Sequence, residues 1–239
     1  MTERDLPLAS GAAVLLPLAP LLSLLGGYVD TAGFLALQGL FTAHVTGNFV
    51  TLGASLVLGT SGVLAKLMAL PLFCLVVFWT RRLSNWIDSH GFPALRSLLI
   101  LMMLLLVVGS VLAIAFGPFR NPDAWPAVAT GMVLVAAMAI QNAAHRMHLT
   151  SAPPSTLMTG TTTQIMIDLA DLSGRRATAR EKAGVRLRLA RLTLAAALFA
   201  AGCAAAALLY AAVNVWCFAV PPALGLLAVF ASRPEREAS

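Results

Sequence analysis

From Ser97 to Gly117 the chain runs without one charged side chain, as SLLILMMLLLVVGSVLAIAFG. At about 1.5 Å per helical residue such a run spans about 30 Å, the thickness of a bilayer's hydrocarbon core. Only backbones that satisfy all their own hydrogen bonds survive there, which leaves helices or a closed β-barrel. Period-two alternation of apolar and polar residues is absent, and this sets the barrel aside. Five further stretches are apolar and long enough to span, roughly 12–36, 62–80, 125–146, 189–211 and 213–231. Of the 239 residues 59% are hydrophobic and only 11% charged, against about 25% charged in soluble domains. The expected class is an all-α, polytopic transmembrane helical bundle of about six spans.

The net charge of +6 does not point to nucleic acid. The basic residues gather between apolar runs, where they set membrane orientation. Arg81, Arg82 and Arg96 fall in a connection at 81–96, and Arg175, Arg176, Arg180, Lys182, Arg186, Arg188 and Arg191 in one at 173–191. Both connections are expected on the cytoplasmic side, together with both termini. The charge-poor turns at 117–125 and 211–214 are expected outside. The opening MTERDLPLASG lacks a cationic lead, so the first apolar run is expected to stay as a helix rather than be cleaved. Cys74, Cys203 and Cys217 lie in apolar runs with no metal spacing and read as small buried hydrophobes. Trp79, Trp86, Trp125 and Trp216 fall near expected interfaces, like an aromatic belt. Pro71, Pro221 and Pro222 are expected to kink spans.

Two apolar stretches are too short to cross. They run roughly 48–59 and 161–172, and about twelve helical residues reach only about 18 Å. Each follows a similar step, HVTGN at 44–48 and LMTGT at 157–161, preceded by a polar descent. Upstream of each lies a polar break in an apolar helix, Asp30 in the first case and Gln141 with Asn142 in the second. The chain therefore reads as one integral membrane domain, 1–239, built of two copies, 10–118 and 123–232. Self-similarity of this kind fixes architecture. Treating both short segments as re-entrant half-helices reconciles them with the charged connections. Three spans per copy then make a 3+3 inverted repeat.

Two half-helix N-termini near the midplane would present unpaired N–H groups and partial positive charge to a small anion or carboxylate. Gly47 and Gly160 allow the turn and a close approach. Thr46, Asn48, Thr159 and Thr161 can cap the helices or contact a ligand; equally, they can do no more than satisfy broken backbone. Asp30 is an acid deep in the first span, where a carboxylate by default suggests function. Its alternatives are proton coupling and a hydrogen bond to Gln141 or Asn142. His44 can bind solute or shuttle protons, or serve as a polar tether. No metal spacing surrounds it. Asp168 and Asp171 are expected to pair with the arginine-rich connection. His145, Arg146 and His148 end the fourth span, either as interfacial residues or as the guard of an entrance.

The runs GYVDTAGF (27–34), FTAHVTGN (41–48), QNAAHR (141–146) and MTGTTT (158–163), in this order and spacing, resemble the YoaK-like family of bacterial multi-pass membrane proteins of unknown function. The resemblance covers nearly the whole chain. It implies a bacterial inner-membrane protein of about six spans and brings no substrate, reaction or cofactor. Its shared residues fall here on Asp30, Gly33, Thr46, Gly47, Asn48, Gln141, Asn142, Thr159 and Gly160, while Thr31 and Pro153–Pro154 depart from the commoner pattern.

The functional expectation is a secondary transporter or permease of a small solute, an anion being the candidate that the half-helix N-termini suggest. Its site residues would be Asp30, His44, Thr46, Gly47, Asn48, Gln141, Asn142, Thr159, Gly160 and Thr161. The alternative is a non-transporting scaffold or lipid-binding protein. An enzyme is not expected, since no nucleophile with its base, zinc spacing or paired carboxylates is evident. No cofactor or metal is expected. The partners expected are the lipid bilayer and a small solute, without nucleic acid and with a homo-oligomer allowed.

Overall fold

The computed structural model describes residues 18–173 and 179–232. The described residues form a helical bundle without strands: α1 (Leu18–Ala36), α2 (Gly47–Leu58), α3 (Val63–Ser89), α4 (Ala94–Phe116), α5 (Trp125–His148), α6 (Met158–Ser173), α7 (Ala179–Val213) and α8 (Val220–Ala231). A 3-10 segment, Asn214–Ala219, joins α7 to α8. The expected start of the first span at 12, the amino-terminal leader, Arg175, Arg176 and the carboxyl terminus lie outside the described residues.

Five stretches are long and apolar enough to cross a membrane: α1, α3, α4, α5 and the continuous segment Lys182–Ala231. A sixth span was expected at 213–231. The chain does reverse there, at Asn214, whose φ of 52° is left-handed and whose own side chain accepts from the Val215 N–H at 2.8 Å. Beyond this reversal come the 3-10 segment and the twelve-residue α8, which by itself is too short to count as a span. Gly117 faces Val215 while Gly225 faces Met103 and Leu106, so α8 runs antiparallel to α4. Pro221 and Pro222 sit in the first turn of α8 and open it rather than kink it, because the missing N–H has no helical partner there anyway.

Two charged connections are mostly helix. α3 continues through Arg81 and Arg82 to Ser89. It stops where Gly91 adopts φ 75°, with the Phe92 N–H bonded back to the Ile87 carbonyl at 3.2 Å. α7 takes in Lys182, Arg186, Arg188 and Arg191. Its 35 residues reach about 50 Å, well beyond a hydrocarbon core.

α1 is the centre of the bundle and most of it is buried. It packs chiefly on α7, and the reason is two glycines. A methyl group at Gly27 would overlap the Phe199 carbonyl, and one at Gly202 would overlap the Leu24 carbonyl. With no Cβ at either place the two backbones touch, the small-residue solution to packing where the hydrophobic effect gives no help. Tyr28 adds a hydrogen bond of 2.8 Å to the Cys217 carbonyl and so anchors the 3-10 segment on α1. Of the cysteines, only Cys217 is buried; Cys74 is exposed.

Most of the described arginines gather at one end of the bundle. Gly62 and Leu64 donate to Asp123, and Ser84 bonds His148 at 3.1 Å, so α3 and α5 run parallel. One end of the bundle thus gathers Arg81, Arg82, Arg96 and Arg146, and the opposite end carries the 59–62 and 117–124 turns. All four tryptophans are exposed. α2 packs on α3, and α6 on α7. Both leave apolar side chains uncovered, among them Phe49, Val50 and Val57 on α2 and Met166 and Ile167 on α6.

Candidate functional site

α1 ends at Ala36, and the chain turns back beside it. Gln38 and Gly39 take left-handed φ values of 52° and 93°. The Gln38 amide donates to the Phe119 and Arg120 carbonyls, tying this turn to the one between α4 and α5. Residues 40–46 then descend along α1 until they reach Asp30. There one carboxylate oxygen accepts from the Thr42 N–H at 2.8 Å and the Ala43 N–H at 2.7 Å, with the His44 N–H at 3.4 Å. The other oxygen meets His44 Nδ1 at 2.7 Å. Asp30 is 4% exposed. A buried carboxylate is costly unless fully hydrogen-bonded, and here successive backbone donors cradle it as they would a bound anion.

The cradle changes the expectation for the first Thr-Gly step. The donors of the descent are occupied by the protein's own carboxylate. The next N–H groups are also used, from Gly47, Asn48 and Phe49 to the carbonyls of His44, Val45 and Thr46. Thr46 is exposed and makes no side-chain cap on α2. Gly47 lies under the Phe41 ring, where a Cβ would sit 2.9 Å from its Cδ2. Asn48 is buried and clasps the loop, its amide accepting from the Phe41 N–H at 2.9 Å and donating to the Phe41 carbonyl at 2.8 Å.

The second half follows the same plan with different atoms. Beyond α5 the chain turns back at 149–157. Thr156 Oγ donates to Asn142 Oδ1 at 2.6 Å, fourteen positions apart, the separation between His44 and Asp30. Gln141 donates to the Leu22 carbonyl at 2.9 Å and to Ser155 Oγ at 3.3 Å, which fastens α5 to α1. Neither Gln141 nor Asn142 bonds Asp30. Thr159 and Gly160 are exposed, inside the first turn of an α6 that starts at Met158 rather than at 161. Thr161 is buried, but its hydroxyl turns back to the Leu157 carbonyl at 2.9 Å.

The halves meet at His44. Its ring lies within reach of the Thr156 backbone and packs edge-on against Phe199 of α7, with centroids 5.3 Å apart. Gly26 makes room, since a Cβ there would sit 3.2 Å from Thr156 and 3.3 Å from Gln141. The structure therefore joins Asp30, His44, Gln141 and Asn142 in one polar layer and leaves Thr46, Thr159 and Gly160 outside it. Thr42, Ser155 and Thr156 belong to that layer and were not expected. The signal for Thr156 was present, because it stands as far beyond Asn142 as His44 stands beyond Asp30.

Cavities flank the layer. One of about 210 Å³ is lined by Asp30, Thr31, Phe34, Leu35 and Phe41. Another of about 90 Å³ is lined by residues that include Asn142, His145, Arg146 and Ser155. Asp168 is taken by Arg188, which bridges α6 to α7 with its Nε 2.9 Å from the carboxylate, and by Gln164 at 2.7 Å. That is the expected pairing with the arginine-rich segment, made on a helix. Among the described residues no three acidic, histidine or cysteine side chains group to hold a metal.

No curated protein and no solved structure matches the chain. A family model does match, over residues 18–231, which takes in α1 through α8 and both polar descents. By that match the chain belongs to the protein family of unknown function DUF1275.

Proposed function

We propose that this membrane protein is a secondary transporter or permease of a small solute, with its centre at Asp30, His44, Thr156 and Asn142. The observation that carries the reading is the polar layer with a cavity against each of its halves. A buried acid paired with an imidazole, at the meeting of two similar units, is what alternating access uses. In this reading α2 and α6 are half-helices that enter from opposite faces, and the two units form an inverted repeat. The arginine-rich end faces the cytoplasm of a bacterium, as the positive-inside rule and the YoaK-like resemblance imply. The Thr-Gly steps mark the starts of α2 and α6, and solute contacts fall to Asp30, His44 and Asn142. The exposed faces of α2 and α6 meet lipid. No catalytic role is assigned, since Asp168 is engaged away from His44.

One observation favours the competing reading, a non-transporting scaffold: Asp30 is already satisfied by its own loop. Access separates the two. With Cys74, Cys203 and Cys217 replaced, Thr31→Cys and Ser155→Cys are treated with an impermeant thiol reagent from each side of sealed vesicles. Labelling of Thr31→Cys from one side and of Ser155→Cys from the other is expected of a carrier. Protection of both, in vesicles where His90→Cys labels, sinks the transport reading.

A further inference from the structure

His145 sits at the end of α5 and is 5% exposed, yet neither ring nitrogen has a hydrogen-bond partner. One nitrogen of a neutral imidazole carries a proton, so at least one buried donor is left unpaired, and that is expensive. The Ala152 and Pro153 carbonyls lie near the ring but do not meet hydrogen-bond geometry with either nitrogen. The ring lines the cavity of about 90 Å³, room for several water molecules or one small ion.

The rest of the lining selects the occupant. Arg146 brings a fixed cation, and Thr150 brings a hydroxyl. Ser155 already accepts from Gln141, so its own proton is free for a ligand. No aspartate or glutamate lines the cavity. A metal or ammonium ion would meet a guanidinium with no counter-charge, whereas an oxyanion would meet donors on several sides. We propose that the His145 cavity is a binding site for one small oxyanion group, a carboxylate or a phosphate, held by His145, Arg146 and the hydroxyls of Thr150 and Ser155. The group is either a free anion or the phosphate of a lipid headgroup at the same interface. This is the cavity that also borders Asn142 at the edge of the proposed transport centre, but none of the four residues named here is hydrogen-bonded to Asp30 or His44, so oxyanion binding is tested whether or not that centre carries a solute.

The test uses the full chain labelled with ¹⁵N-histidine. Delipidated protein in micelles is titrated with acetate and with inorganic phosphate, and a second sample is placed in nanodiscs with and without phosphatidylglycerol. The His145 ring signals are identified by their loss in His145→Gln. Saturable shifts in micelles assign a free anion, and shifts that need phosphatidylglycerol assign the headgroup. In either case Arg146→Gln should weaken binding about tenfold, one charge-assisted hydrogen bond's worth. Arg120→Gln, exposed at the opposite end of the bundle, should leave it unchanged. Calorimetry on His145→Gln and His145→Phe reads the same loss without the ring signal. A hydrated cavity only, with no response to any of the three anions, overturns the proposal. So does undiminished binding in both His145 variants.

Discussion

The two descents, 37–46 and 149–157, share a plan and differ in charge. Each folds back along the helix before it and meets a polar side chain fourteen positions upstream. In the first, that side chain is a carboxylate that gathers backbone donors and an imidazole. In the second it is a neutral amide that meets one hydroxyl, with its NH₂ spent on the Met138 carbonyl at 2.9 Å. The lesson is that one backbone solution can be held by a charge or by a single neutral bond. Only the charged version puts a titratable pair in the middle of the protein.

Three pairs of substitutions test how unequal the halves are. Asp30→Ala strands the Thr42 and Ala43 N–H groups in a buried loop, and should cost about 3 kcal/mol or more in thermal unfolding in detergent. Asn142→Ala removes one neutral acceptor and a donor to its own helix, and should cost about 1 kcal/mol. Equal losses would break the comparison. Next comes the clasp. Asn48→Ala loses both bonds to Phe41 and should cost about 2 kcal/mol. Thr161→Val, which gives up only a bond to its own helix, should change stability by less than about 1 kcal/mol. The smallest effect has opposite signs in the two halves. Gly47→Ala must push the Phe41 ring aside and should lose about 1 kcal/mol. Gly160→Ala has open space around it and should gain about 0.5 kcal/mol from helix propensity. Two losses of equal size would mean that the Thr-Gly steps are equivalent after all.

Much of the architecture was legible because bilayer physics writes itself into composition. Runs such as 97–117 can only be spans, and the short stretches at 48–59 and 161–172 reappear as α2 and α6, within one to three residues at each end. Asp30 and His44 were visible as polar residues in apolar surroundings. Their pairing was not. The sequence left Asp30 facing either a proton or the second half, and its partners turned out to be amides of its own descent, which carry no side-chain signature. Thr46 and Thr159 looked like caps, yet both point outward, since a hydroxyl's use depends on which way the helix turns. Pro221–Pro222 read as a kink because the sequence does not reveal that a helix begins there. His145 read as an interfacial residue, and nothing local says that both its nitrogens are buried without partners.

The sequence by itself determined the class of protein, the approximate spans and the arginine-rich end of the bundle. These follow from transfer free energies and periodicity, which are local sums over neighbouring residues. Only the tertiary structure decided that Gly27 and Gly202 let α1 and α7 touch, that Asp30 is cradled by amides of residues 42–44, and that His44 stands where the halves meet. Those facts depend on which surfaces come within about 3 Å of one another, and a linear pattern does not encode such distances.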